Sequence, residues 1–418
     1  MAQYPSHKNS GFDWIGQIPS HWGLLKSKFL WRESFDTSTT GTEDLLSVSQ
    51  YDGVTPANGS RSESLVGYKV VEENNLVINI MLAWMGGLGV SAYNGLVSPA
   101  YCVYKLQGDN NPKYMHYLYK TSMYLAEFAR HSTGVIPSRW RMYTDDFGQV
   151  LTLIPPRKEQ DAMVEYLDAA TAKIDEAIAQ QQRMIDLLSE RKQIIIDKTT
   201  TKGAFSGKEL HDSGVDYIGE IPEGWTTTKI KFVASYNDEV LSEDSADKDI
   251  EYVEIGDVQY GKGITGSANY LFKDAPSRAR RITRKGDIIV STVRTYLKAV
   301  AVIKKDGLIV STGFVVIRPK SNVDAQFLAY AILNSAIISE VEKNSVGTSY
   351  PAVNAWEVVD IKVPIPPIEE QKRIALYLSE IEKNTEKAIE GCGKIIQALQ
   401  ERKQIIINDV VTGKVKVV

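Results

Sequence analysis

Positions 164, 167, 171, 174, 178, 181, 185, 188, 192 and 195 advance by alternating steps of three and four. They carry Val164, Leu167, Thr171, Ile174, Ile178, Gln181, Ile185, Leu188, Lys192 and Ile195. A mostly apolar stripe with a 3.5-residue period over four heptads predicts one long helix with a coiled-coil seam. A second stripe lies 211 positions further on: Ala375, Leu378, Glu382, Thr385, Ile389, Cys392, Ile396, Leu399, Lys403 and Ile406. Mostly the same slots are apolar, and Lys192 and Lys403 share a polar one. Each helix starts behind a proline pair, Pro155–Pro156 or Pro366–Pro367, and runs to the region of Thr200 or Val411. A proline pair suits an extended lead-in to a helix start, and acidic residues follow in the first turn. At 1.5 Å per residue a ~40-residue helix reaches ~60 Å, longer than a small domain needs, so it reads as a spacer. The other reading is a long surface helix packed along its own domain.

Ahead of each helix the pattern changes. Runs such as NNLVINIM, KGDIIVSTV, KAVAVI and FVVIRP, punctuated by Gly, Asn and Pro, predict short strands and turns. One helix is predicted over 111–130 and another over 324–344. The same order of elements therefore occurs twice, and direct identities support it. DWIGQIPSHWGLLKSKF at 13–29 matches DYIGEIPEGWTTTKIKF at 216–232, an offset of 203. IPPRKEQ at 154–160 matches IPPIEEQ at 365–371, and ERKQIII occurs at 190–196 and 401–407, both at an offset of 211. A period near 200 is too long for a solenoid and indicates a duplicated domain. The expected fold class is mixed α/β, with strand-rich domains at 1–153 and 204–364 and long helices at 154–203 and 365–418.

Composition narrows the function. A chain of 418 residues suits two to four domains, and 43% apolar with 24% charged content is globular. The longest apolar runs are broken too early to span a bilayer, and the N-terminus has no secretory pattern. Cys102 and Cys392 read as small buried hydrophobes of a reducing compartment. We expect a cytoplasmic protein with no membrane contact. Five scattered histidines lack metal-ligand spacing. GKGITGS at 261–267 has the letters of a phosphate loop without its spacing, and neither proline pair sits in an adenine-methyltransferase tetrapeptide. No catalytic or metal residue is expected.

The net charge of −4 argues against a nucleic-acid binder that uses its whole surface. The distribution of charge points the other way. Segment 277–298 gathers Arg278, Arg280, Arg281, Arg284, Lys285, Arg294 and Lys298 around a single acid, Asp287, with Tyr296 among them. Such residues bind phosphate oxygens, and arginine reads guanine edges. A charged strand edge that resists aggregation is the bland reading. The first copy answers with NLVINIMLAWMGGLGV, where Trp84 falls near Tyr296 and Leu82 near Arg294. The scaffold repeats while the exposed letters change, as two heads reading different base sequences require. A second candidate surface precedes the proline pairs: Arg139, Trp140, Arg141 and Tyr143 in one copy, Ser349 and Tyr350 in the other. Two Gly-rich loops add Tyr51 with Arg61, and Tyr260 with Lys262; burial is the equal alternative for both tyrosines.

The paired openings SGFDWIGQIPSHW and SGVDYIGEIPEGW, the IPPxxEQ motifs, the long helices and their ERKQIII segments resemble the specificity subunit of type I restriction–modification systems. The resemblance covers essentially the whole chain. It implies two target recognition domains held apart by an antiparallel coiled coil, in an internal pseudo-two-fold repeat. The seam residues would be Leu167, Ile174, Ile178, Ile185, Leu188 and Ile195 against Leu378, Ile389, Ile396, Leu399 and Ile406. It implies a split recognition site on double-stranded DNA, with half-sites roughly one helical turn of ~10 bp apart. It further implies two modification subunits that carry S-adenosylmethionine and methylate adenine, and restriction subunits that use ATP and Mg. No cofactor belongs to this chain on that reading. A single-chain restriction–modification enzyme would need motifs that are missing. A non-DNA coiled-coil scaffold leaves the arginine cluster unexplained.

Overall fold

The structure is a computed structural model that describes residues 3–50, 53–57, 64–135, 140–204, 207–242, 244 and 247–417. Tyr51, Arg61 and Arg139 lie outside the described residues. The chain divides into two compact units, Met1–Gln180 with Lys394–Val418, and Gln181–Gly393. Each long helix, Arg157–Lys202 and Ile368–Val411, contributes one half to each unit.

In the first unit an antiparallel sheet runs in the order Trp31–Ser34, Tyr101–Leu106, Leu76–Asn79, Leu88–Val90. In the second, Ala234–Tyr236, Phe314–Pro319, Ile288–Ser291 and Val300–Val302 follow the same order and sense. Both units also pair a strand near the start of the repeat with the strand that leads into the long helix. These pairs are Gly23–Lys26 with Leu151–Ile154, and Thr226–Lys229 with Lys362–Ile365. The second unit adds a four-stranded sheet in which Asp249–Val253 runs parallel to Ile309–Ser311.

The helix expected over 111–130 is two helices, Pro112–Tyr119 and Ser122–Arg130, and its counterpart divides into Ala325–Ile332 and Ser335–Lys343. The break is a cap. The Thr121 side chain accepts from the Tyr124 amide, and the Asn334 side chain accepts from the Ala336 amide. Such capping satisfies amides that a new helix start would otherwise leave unpaired.

The glutamine of IPPxxEQ has a structural reason in both copies. Gln160, buried, accepts from the Asn111 amide at 2.7 Å and donates to the Pro155 carbonyl at 2.8 Å. Gln371 repeats this with the Asp324 amide and the Pro366 carbonyl, both at 2.8 Å. One amide side chain thus ties the start of the long helix to the start of the short helix, satisfying two backbone groups that burial would otherwise orphan. The paired Gly16 and Gly219 adopt φ of +71° and +70°, a region open to glycine.

The core of the first unit takes Met163 and Leu167 from the first long helix and Ile407, Val410 and Val411 from the end of the second. The second unit mirrors this with Ile196, Ile374, Ala375 and Leu378. Along the stripes Leu167, Ile174 and Leu378 are buried; Ile178, Ile185, Leu188, Ile195, Ile389, Ile396, Leu399 and Ile406 are half-buried. Near the helix ends the deeper residues are Ile196 and Ile407 instead of Ile195 and Ile406. A straight helix drifts by ~20° per heptad from a strict seven-residue repeat, and these ends pack into a domain core. In the first unit Lys403 clamps Asp175 across the two helices at 2.7 Å, and Tyr114 donates to the Val411 carbonyl beside Leu153. Chain numbers rise along one helix segment as they fall along the other, so the segments run antiparallel within that unit. Cys102 and Cys392 are half-buried, less enclosed than expected.

Candidate nucleic-acid interface

In both units the third sheet strand just described leads through an exposed 3-10 turn into the fourth. In the first unit this turn is Ala83–Met85, with Trp84 at its centre. In the second it is Thr295–Leu297, with Tyr296 at its centre. Around the first turn the exposed side chains are apolar: Met81, Leu82 and Met85. The ring of Trp84 meets that of Trp140 edge-on at 5.4 Å, and its Nε1 donates to the Met81 carbonyl. Arg141, exposed, comes from the segment carrying Trp140 and places its guanidinium 4.0 Å from Met81 Sδ. The fold therefore brings Trp84 beside Trp140 and Arg141, which lie 56 and 57 positions further along the chain.

The second turn gathers Arg294, Tyr296, Lys298 and Tyr350. Tyr296 and Tyr350 are 51% and 71% exposed, and the Arg294 guanidinium lies 5.7 Å from the ring centre of Tyr350. Ser349 is exposed beside it. Both units thus build the same pairing, a turn beside the segment that precedes the last strand, from aromatic and basic residues.

The arginine cluster separates on inspection. Arg278 is exposed. The Arg280 guanidinium stacks over Phe272 at 4.5 Å, an attraction between cation and ring face. Arg284 pairs with Glu239 at 2.6 Å, and Lys298 with Glu342 at 3.3 Å. Arg281 is half-buried in the strand Ala279–Ile282, its Nε has no partner, and burial holds its guanidinium pKa below the ordinary value. It is part of the strand packing and not an open contact. Asp287 does not face the cluster as the sequence suggested. Only 2% exposed, it takes two hydrogen bonds from Arg318, at 2.9 and 2.7 Å, and one from the Arg284 amide. The ion pair raises the Arg318 pKa above its ordinary value. Arg318 sits inside the apolar run FVVIRP, where a strand reading directed attention to the hydrophobes.

Of the candidates on the two Gly-rich loops only those of the second lie among the described residues. Tyr260 packs against the second core and donates to the Leu333 carbonyl at 3.1 Å, so its hydroxyl is already engaged. Lys262 is exposed on the rim of a cavity of about 730 Å³ bounded by Lys192, Ile196, Tyr330 and Ile389. It lies among other neighbours than Arg294 and Tyr350. Among the described residues no group of three or more His, Cys, Asp or Glu side chains is placed to hold a metal ion. Among them also, no helix is long and apolar enough to cross a membrane.

Comparison with known proteins places this architecture. Residues 222–395 match the family described as the type I restriction modification DNA specificity domain. The type I restriction enzyme MjaVIII specificity subunit of Methanocaldococcus jannaschii is 27% identical over 280 residues, 65% of this chain and 63% of that protein. The EcoDI specificity subunit of Escherichia coli is 21% identical over 276 residues, 61% of each chain. Each alignment spans less than two thirds of the relative's length. A solved structure from work on complex assembly and conformational transition of the type I R-M system superposes with a TM-score of 0.65 at 14% identity. It covers 94% of this chain and 98% of that one, a likeness of fold. With the motif pairs and the duplicated units, these matches make the chain similar to type I restriction–modification specificity subunits, and residues 222–395 carry the likeness to their DNA specificity domain.

Proposed function

We propose that this protein reads a split site on double-stranded DNA and carries no catalytic step of its own. Each unit reads one half-site, and the two long helices, paired as an antiparallel coiled coil, hold the unspecified gap. The observation that carries this reading is the duplicated turn. One scaffold presents Trp84, Trp140 and Arg141 in the first unit and Arg294, Tyr296 and Tyr350 in the second. Different side chains on one frame are what two unlike half-sites need. Base edges are told apart by such side chains in the grooves, while phosphate contacts set position.

The partners on this proposal are two modification subunits, docked on the helical regions, which bring S-adenosylmethionine and methylate adenine. Restriction subunits complete the complex with ATP and Mg. Extracting an adenine from the duplex falls to the modification subunits, which must reach its amino group. The cytoplasm is the expected location.

Single-molecule methylome sequencing of cells expressing this chain with its neighbouring modification subunit tests the proposal. The expected result is a split motif with methylated adenine in each half, and exchanging residues 1–153 for another member's domain should alter one half only. A continuous motif, or no methylation with the partner demonstrably bound, removes the two-headed reading and favours a scaffold without DNA contact. Charge reversal for the same purpose belongs at Arg278, not at Arg281, which the strand packing encloses.

A further inference from the structure

The exposed turn of the second unit is held in an unfavourable backbone conformation. Arg294 has φ of +52° and ψ of +48°, and Lys298 has φ of +48° and ψ of +38°. The left-handed region crowds Cβ against the following carbonyl, so a long side chain there is disfavoured relative to glycine. The first unit builds the same turn without that strain. Its entry residue Leu82 has φ of −118°, and its exit residue is Gly86 at φ +89°. The strand–turn–strand frame therefore requires neither strained residue at these places, and both strained residues are basic.

The surroundings lock the strain in. The Arg294 amide donates to the Pro351 carbonyl at 2.8 Å, and Val293 bridges to Ala352. The hydroxyls of Thr295 and Ser345 lie 2.8 Å apart, and Lys298 is tied to Glu342. Segment 342–353 thus clamps the turn from one side. Within this frame Arg294 differs from three other cations of the unit. Arg284, Arg318 and Lys298 are neutralised by carboxylates, whereas among the described residues no carboxylate pairs with Arg294. Its guanidinium is exposed and rests on the ring of Tyr350.

A planar five-donor fork, set on an aromatic ring at an exposed rigid turn, matches the O6 and N7 acceptors of guanine in the major groove. We infer that Arg294 is a specificity-determining residue that reads a guanine in the half-site of the second unit, with Tyr350 as its positioning residue. The inference rests on the DNA reading above. The first unit, with Leu82 in that place, makes no such contact, so the two half-sites differ at this position.

Binding of the assembled complex of this chain with its modification subunit is measured on the methylated motif's duplex and on duplexes changed at one base pair each. The wild type should lose roughly 10- to 100-fold in affinity when one particular G·C pair of the second half-site is replaced. Arg294→Ala should bind the parent duplex more weakly by a similar factor and become indifferent to that pair alone. Arg294→Lys keeps the charge without the fork and should not restore discrimination. Arg294→Gly, which relieves the strain, should behave as the alanine variant does and so separates recognition from folding. Tyr350→Ala should blunt discrimination at the same pair, and Tyr350→Phe should retain it. Uniform weakening of Arg294→Ala on every duplex, or unchanged discrimination, overturns the inference while leaving the split-site reading intact. A wild-type complex with no preference among duplexes overturns both.

Discussion

Strands Tyr101–Leu106 and Phe314–Pro319 occupy the same place in the sheets of the two units, and Lys105 and Arg318 occupy the same place in those strands. Lys105 is an exposed cation at 3.2 Å from Asp36 and 3.1 Å from Glu72. Arg318 is 19% exposed and holds the buried Asp287 in a two-pronged bond, with Glu239 as a further partner. One scaffold therefore carries a surface ion pair in one copy and a buried one in the other. The fold specifies that a strand passes there. The local depth of packing decides whether the charge on it matters.

Neighbouring pairs show the same divergence. Trp22 Nε1 donates to Glu159 at 3.1 Å, and Glu159 also receives Tyr4 and His21. The matching Trp225 Nε1 is buried without a partner, and the matching carboxylate, Glu370, pairs with Lys208 instead. Lys403 bridges Asp175 in one unit, whereas Lys192 in the other donates to the Gly261 carbonyl and lines the cavity. Duplication copied the frame, and each copy then satisfied its polar groups independently.

Replacing Arg318 gives the largest expected break in this symmetry. Arg318→Met leaves Asp287 enclosed without a counter-charge and should destabilise the second unit by about 3–5 kcal/mol. Hydrogen exchange of the amides in Ile288–Ser291 reads the loss directly. Protection unchanged from the wild type would show that Asp287 draws its stability from elsewhere.

A smaller difference lies in acid. His116 accepts from the Val90 amide, and burial first, then Lys120 and Lys113, lowers its pKa to about 4. The matching helix of the second unit has Ala329 at that place. An unfolded chain binds this proton near the ordinary value of 6.5 and the folded chain does not, so the contribution to stability is complete above about 6.5. It declines as pH falls toward 4. Unit-resolved exchange between pH 7 and 5 should show the first unit weakening more than the second, and His116→Gln should flatten that slope. An identical slope in the variant would assign the acid sensitivity to other groups.

The smallest effect belongs to the exposed partner of the opening comparison. Lys105→Met should leave the melting temperature within error of the wild type, because exposed ion pairs are weakened by solvent and by side-chain entropy. A clear loss would mean that Lys105 is more enclosed than its neighbours indicate.

The repeat, the proline-led helices and the alternation of strands were legible in the sequence because each rests on local periodicity or on direct identity. The apolar stripe was legible as a helical pattern, but its most buried members Leu167 and Leu378 are buried in the domain cores, and at the far ends Ile196 and Ile407 lie deeper than Ile195 and Ile406. The candidate DNA surface was legible in part. Aromatic and basic letters marked Trp84, Trp140, Arg294 and Tyr350, but the charge count could not separate exposed Arg278 from enclosed Arg281. Arg318 was hidden within a hydrophobic run.

By itself, then, the sequence determined that one unit is written twice, that each copy ends in a long amphipathic helix, and that the copies differ in their exposed basic and aromatic residues. These are properties of spacing and composition, which act along the chain. Tertiary structure alone decided which arginines are neutralised, which glutamine ties one helix start to another, and which turn holds Arg294 and Lys298 in the left-handed region. Those outcomes depend on groups tens to hundreds of residues apart meeting within about 3 Å, where burial and hydrogen-bond geometry set the energy.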